Sequence, residues 1–234
     1  MILCIETATP VCSVALCDRN GTVALKESGE DRSHASRLTI FIEEILMEAG
    51  IKAGSLEAVA VSKGPGSYTG LRIGVSTGKG IAYAASVPLI SVDTTLSMFL
   101  GFSSAVKREN GIQPADLFCP ALDARRMEIY YSVYDATGNT LKGISAEIVD
   151  RGFLQTFHPD SRIFVFGDGA SKCSGIMERS NVTFDPGFRI SAEFMNSAAY
   201  HALDNKRFED VAYFEPFYLK DFMTSKPVKN ILAK

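Results

Sequence analysis

The 234-residue sequence has no tryptophan, only three histidines, and no Cys-x-x-Cys pair among its five cysteines (Cys4, Cys12, Cys17, Cys119 and Cys173). So few histidines restrict the metal sites that can be built. His34 has Leu38, not a second histidine, one helical turn on. His158 stands beside Pro159 and His201 falls in a late helical stretch, neither with a second ligand close in sequence. Cysteines in apolar runs such as LCIE and VCSVALC behave as small hydrophobes, so structural thiols in a reduced, cytoplasmic chain are expected. Positive charge is not in excess: 24 Lys and Arg against 27 Asp and Glu give a net charge of −3, which disfavours charge-driven binding of nucleic acid by the chain alone. The start, MILCIETATP, lacks a basic segment and is interrupted by Glu6, so no signal peptide is expected. No apolar run approaches the ~20 residues of a membrane span, so no membrane association is expected.

What is present is a composition that can bury a core, with 46% hydrophobic and 22% charged residues. Residues 1–30 read as three short strands (MILCIETA, CSVALCD, VALKESGE), the last two joined by an Asn20-Gly21 hairpin turn. Ser33 is placed to cap a helix whose apolar positions Leu38, Phe41, Ile42, Ile45, Leu46 and Ala49 recur at helical spacing up to Gly50. A strand (58–63), a glycine loop, a helix (about 70–86), a strand (PLISVD) and an apolar helix (94–106) follow. The polar stretch 107–116 marks a boundary between lobes at 1–106 and 107–234. Beyond it the order restarts: strands LFCPALDA, MEIYYSVYD and LKGISAEIV, a helix GFLQTFH, a strand RIFVFGD, a helix CSGIMERS, a strand NVTF and a helix SAAYHALDNKRF. Two related α/β lobes, each a mixed sheet flanked by helices, fit this order, with the last segment expected to pack back on the first lobe. The layout is that of the actin, Hsp70 and sugar-kinase superfamily, or of a duplicated ribonuclease H-like lobe.

Several chemistries fit poorly. A two-metal nuclease needs carboxylates at neighbouring strand ends, and here Glu6 faces a strand ending in Ser62-Lys63. An actin-like ATPase needs glycine in its phosphate hairpins, yet these read Thr7-Ala8-Thr9-Pro10-Val11 and Asp123-Ala124-Arg125-Arg126. Beside two arginines, Asp123 reads as a salt-bridged turn. The loop Gly64-Pro65-Gly66-Ser67-Tyr68-Thr69-Gly70 offers Gly64, Gly66, Ser67 and Thr69 either as an anion cradle or as a hydroxyl-capped turn into a helix. Inside that helix lie Gly70, Gly74, Gly78 and Gly80, each costing roughly 1 kcal/mol relative to alanine. With Ala82, three of them form a ridge nearly free of side chains, suited to close packing either on the chain's own sheet or against a partner.

The segments ILCIETAT and KGPGSYTGLRIGVSTGKGIA, with weaker matches in ALDARRMEIYYSVYD and EPFYLKD, resemble the bacterial TsaB (YeaZ) family over most of the chain. The resemblance implies a two-lobed actin/Hsp70-like fold without catalysis of its own, and no metal or cofactor of its own. The family acts in making threonylcarbamoyladenosine at position 37 of tRNAs that read ANN codons. There TsaB pairs with the paralogue TsaD, which carries a His-x-x-x-His metal motif and performs the transfer, and the ATPase TsaE joins them. A homodimer is implied when the chain is alone, with tRNA reached only through the complex and nucleotide held only at its interface. Partner contact is implied on helices 34–49 and 70–84, at Leu38, Phe41, Ile42, Ile45, Gly70, Arg72, Ile73, Gly74, Thr77, Gly78 and Ile81. Leucine at Gly74 or Gly78 should then abolish pairing and leave a folded monomer. The competing expectation is a degenerate actin-like ATPase or an M22 glycoprotease-like peptidase using Asp123 and a hydroxyl of the 64–70 loop.

Overall fold

The apolar run at the start of the chain, buried on both faces, forms a strand, β1 (Ile2–Glu6), paired antiparallel with β2 (Cys12–Asp18). Leu3 and Ile5 face one way with Val14 and Leu16, while Ile2 and Cys4 face the other with Ala15 and Cys17. The hairpin predicted at Asn20-Gly21 leads into β3 (Gly21–Ser28). The computed structural model describes residues 1–28, 34–109, 111–157, 160–177 and 179–220, with the side chains of 34, 108 and 109 excepted. The expected cap at Ser33, and His158 with Pro159, lie outside the described residues.

Next come α1 (His34–Glu48), a 3-10 turn (Ala53–Ser55), β4 (Ala58–Gly64), α2 (Tyr68–Ala85), β5 (Leu89–Asp93) and α3 (Thr94–Glu109). The first sheet has the order β3-β2-β1-β4-β5, with β4 and β5 parallel to β1. The second is built from β6 (Leu117–Asp123), β7 (Glu128–Asp135), β8 (Thr140–Ile148), β9 (Ile163–Phe166) and β10 (Val182–Asp185). Its order, β10-β9-β6-β7-β8, repeats the first: three antiparallel hairpin strands, then two parallel ones on the far side of the leading strand. The fold is the duplicated, two-sheet actin/Hsp70-like class.

Helices α1 and α2 cover one face of the first sheet. Leu38, Phe41, Ile42 and Ile45 of α1 are buried there against Leu3, Ile5, Val14 and Leu16. At about 1.5–3 kcal/mol for each large side chain removed from water, this face offsets the ordering of a helix that would not persist alone. The opposite face is covered by a segment from beyond β10, a 3-10 turn (Ala192–Met195) and α5 (Asn196–Asp204), through Ala192, Met195, Ala199 and Tyr200. The Ala192 amide donates to the Ser13 hydroxyl at 2.8 Å, fixing this return. Helix α3 packs Met98, Phe99, Phe102 and Val106 on the second sheet, where the Phe102 and Phe166 rings stack 3.9 Å apart. All five cysteines are buried and unpaired.

Four readings of local structure need correction. The first three residues of the 107–116 stretch belong to α3, which runs to Glu109. Residues 152–157 of the expected helix GFLQTFH are a succession of turns. Their bonds from Phe153, Gln155 and Phe157 each reach back three residues, and Leu154 stands at φ 62°. The helix expected at 173–180 lies earlier, as α4 (Ala170–Ser174), and stops before Gly175. The helix expected to reach Phe208 ends at Asp204, ahead of Lys206 at φ 52°. Among the described residues no helix is long and apolar enough to cross a membrane.

Candidate functional site

The carboxyl ends of β1 and β4 bring together the motifs that stood out in the sequence. Glu6, wholly buried, closes β1, and its Oε1 accepts from the Ala8 amide at 2.7 Å and the Ser62 hydroxyl at 2.8 Å. Its Oε2 has no hydrogen-bond partner among the described residues. Burial lifts the Glu6 pKa to about 7, against the opposing pull of those hydrogen bonds. The turn so fixed, Thr7-Ala8-Thr9, is pressed into the glycine loop: the Ser67 amide donates to the Ala8 carbonyl at 2.6 Å. A Cβ on Gly66 would sit 2.4 Å from that same carbonyl oxygen.

The glycine ridge of α2 faces inward onto this turn and onto β4. Cβ atoms at Gly70, Gly74 and Gly78 would lie 2.1 Å from the Thr7 carbonyl, 2.2 Å from Thr7 Oγ1 and 2.4 Å from Val61 Cγ1. The ridge therefore brings α2 onto its own sheet, the first of the two uses it could serve. Within the chain all seven of Gly70, Gly74, Gly78, Leu38, Phe41, Ile42 and Ile45 are buried in its own core, beneath the outer face of the two helices. Leucine at Gly74 or Gly78 would break the fold before it could report on pairing. Of the positions named from the resemblance, Arg72 is exposed and Ile73, Thr77 and Ile81 are half-buried. The large apolar side chains that these helices do expose are Ile40 and Met47 on α1 and Tyr83 on α2, at 45%, 70% and 80%. Ile40 and Met47, seven apart, share one face. A shallow groove lies between Lys52–Gly54 and the residues Gly80, Ile81, Ala84 and Ala85 of α2.

The loop itself is not an open cradle. Ser67 caps α2, its hydroxyl accepting from the Gly70 amide at 3.2 Å, while Thr69 is exposed. Gly64, at φ 114°, follows Lys63, whose carbonyl accepts the Phe217 amide at 2.7 Å; the Phe217 carbonyl lies 2.6 Å from where a Gly64 Cβ would be. At Gly64 and Gly66 the neighbouring space is held by Phe217 and Ala8. Lys63 pairs with Asp93 at 3.2 Å. Nothing in the local sequence announces Phe217 here, because it arrives from 153 residues away along the chain (217 − 64).

In the second sheet the corresponding turn carries Asp123, whose carboxylate pairs with Lys172 of α4 at 2.7 Å and accepts the Arg125 amide at 2.6 Å. The expected salt bridge to the adjacent arginines is thus replaced by one to a lysine distant in sequence. Arg125 and Arg126 instead serve the turn through their backbones, at φ 67° and 46°. Asp168 accepts from the Asp123 amide at 2.9 Å, and burial raises its pKa above the usual range. Gly74-Val75-Ser76-Thr77-Gly78 has the spacing of a nucleophile elbow, but it lies within α2 and not at a strand-to-helix turn. His201 is exposed on α5, and no three His, Cys, Asp or Glu side chains among the described residues gather to hold a metal.

Comparison with known proteins adds a family context. A family model described as TsaD: tRNA N6-adenosine threonylcarbamoyltransferase matches residues 28–153. The tRNA threonylcarbamoyladenosine biosynthesis protein TsaB of Escherichia coli K12 is 38% identical over 138 residues, covering 59% of this chain and 56% of that protein. Its counterpart in Haemophilus influenzae is 33% identical over 131 residues, covering 56% and 52%. The chain spans about half the length of the curated relatives it matches. The solved structure of YeaZ from Pseudomonas aeruginosa superposes with a TM-score of 0.79 at 25% identity, covering 93% of this chain and 99% of that one.

Proposed function

The chain belongs to the tRNA N6-adenosine threonylcarbamoyltransferase (TsaD) family, on its TsaB (YeaZ) branch, and from that premise we propose that it is a non-catalytic subunit which pairs with a TsaD-like paralogue. In this reading the paralogue, with a TsaE-like ATPase, transfers the threonylcarbamoyl group to adenosine 37 of ANN-decoding tRNAs in the cytoplasm. The chain alone forms a homodimer through the face it offers the paralogue. Transfer RNA is reached only through the complex, and nucleotide is held only at its interface.

The observation that carries this reading is the filled glycine loop. The glycine loop after β4 is packed by Ala8 and Phe217, and the turn where an actin-like ATPase would hold phosphate, Thr7–Val11, has no glycine and is itself pressed into that loop. Glycines that look like a ligand cradle instead bring α2 close to the sheet, leaving its outer face, with that of α1, to meet another protein. Tyr83, Ile40 and Met47 supply the exposed apolar and aromatic groups from which interface anchors are made.

Reconstitution tests this. With tRNA and a threonylcarbamoyl donor, the chain alone should leave adenosine 37 unmodified, and adding it to the paralogue and ATPase should raise the rate at least about tenfold. Modification of tRNA without the paralogue would overturn the reading. Ile40→Asp and Tyr83→Asp should each weaken pairing roughly ten- to a hundredfold in a calorimetric titration. Thermal midpoints of both variants should stay within about 2 °C of the parent, as for other surface substitutions. Unchanged affinity in both variants would move the interface elsewhere.

A further inference from the structure

Residues 209–220, beyond α5, form no helix and extend neither sheet by more than one bridge, yet they are held at many points along their length. The Glu209 amide donates to the Leu89 carbonyl at 2.8 Å on the edge strand β5, and the Glu209 carboxylate accepts from the Ser91 hydroxyl. Lys79 of α2 donates to the carbonyls of Ala212 and Phe214, at 3.2 and 2.8 Å. Arg72, seven residues earlier on the same helix face, donates to the Tyr218 hydroxyl at 3.1 Å, and the Tyr218 ring lies 4.7 Å from that of Tyr68. Lys220 then pairs with Glu128 of β7, in the second sheet. The segment thus runs antiparallel along the flank of α2 and crosses the glycine loop at Phe217.

We propose that residues 209–220 are a strap that opens as one unit, and that its opening releases the glycine loop and the first turn of α2. Val211 and Phe214 rest half-buried on the first core; the other attachments are side-chain clamps and isolated backbone bonds, without a ladder or helix to resist separation, and the outer side chains, Tyr213 at 84% and Phe217 at 40%, are exposed. Segments held in this way open below the free energy of the whole molecule. Opening of the strap uncovers the loop, because the Phe217 amide and carbonyl are the groups that cover Lys63 and Gly64. The strap stands independently of the pairing proposed above, since every contact in it lies within the chain.

Hydrogen–deuterium exchange on the full chain tests the strap. Lys79→Met keeps the apolar stem and removes both clamps, so the amides of Glu209 and Phe217 should exchange roughly tenfold faster. The amides of Ser67 and Gly70 should accelerate with them, while those of β1 stay as in the parent. Tyr218→Leu loosens the opposite end, and if the strap is one unit the distant Glu209 amide responds to it as well. Exchange at Glu209 and Phe217 as slow as in β1 in both variants would overturn the proposal. So would acceleration confined to the residues next to each substitution, or a strap that opens while Ser67 and Gly70 remain protected.

Discussion

Gly70→Ala is expected to lower stability by about 3 kcal/mol, at the upper end of what overpacking costs, and to lower the thermal midpoint by roughly 6–12 °C in a chain of this size. The added methyl would lie 2.1 Å from the Thr7 carbonyl oxygen, a backbone atom, with Ser67 Cβ and Oγ at 3.3 Å on the other side. Thr7 cannot retreat, because Glu6 holds the Ala8 amide and the Ala8 carbonyl holds the Ser67 amide. The gain of about 1 kcal/mol from alanine's better helix propensity is outweighed. Gly80→Ala, in the same helix, supplies the control with the opposite sign. Gly80 is exposed and a Cβ there meets nothing within 4 Å, so only the propensity gain remains, about 1 kcal/mol and a midpoint raised by roughly 2–4 °C. Urea and thermal unfolding of the two variants decide the matter. A Gly70→Ala protein as stable as the parent would mean that α2 does not rest on the Thr7-Ala8 turn.

That contrast shows how far the sequence was legible. The apolar runs of β1 and β2, the Asn20-Gly21 turn and the periodicity of α1 were readable because each is set by neighbours within a few residues. The repeat of three hairpin strands and two parallel strands was readable for the same reason, element by element. The glycine ridge was visible, but its direction was not, since spacing alone cannot say whether Gly74 faces Thr7 or another molecule. The turn that fills the glycine loop lies in the segment ILCIETAT that carries the resemblance, but nothing in Thr7-Ala8-Thr9 says that it packs into that loop. For the last segment a return toward the first lobe could be expected but its path could not, because residues 209–220 have no periodicity and follow Lys79, Arg72 and Lys63, all more than a hundred residues earlier. Likewise Asp123 found Lys172 and not its neighbours Arg125 and Arg126, a choice made by where α4 packs.

Glu6 supplies a test of the same turn through pH. Its ordinary pKa of 4.5 rises to about 7 in the folded chain because the carboxyl is wholly buried, so the native state binds a proton that the unfolded chain has already released. A folded pKa above the unfolded one gives stability that is fully present below the unfolded value and is lost as pH rises through the folded value. The window therefore runs from about pH 4.5 to about pH 7, and the loss is on the order of 3 kcal/mol at 1.36 kcal/mol per unit. Glu6→Gln keeps an acceptor for the Ala8 amide and the Ser62 hydroxyl and cannot ionise. Its stability relative to the parent should accordingly rise by about 3 kcal/mol between pH 4.5 and pH 8, as measured by urea unfolding at each pH. Other titrating groups are common to both proteins and cancel in the difference. Parallel pH profiles would show that the Glu6 carboxyl is ionised at no cost, and hence that water reaches it. If instead the profiles diverge as expected, ionisation at alkaline pH strains the turn on which Gly66, Gly70 and Gly74 rest. The pairing proposed for the outer face of α2 should then weaken with rising pH in the parent and not in the glutamine variant.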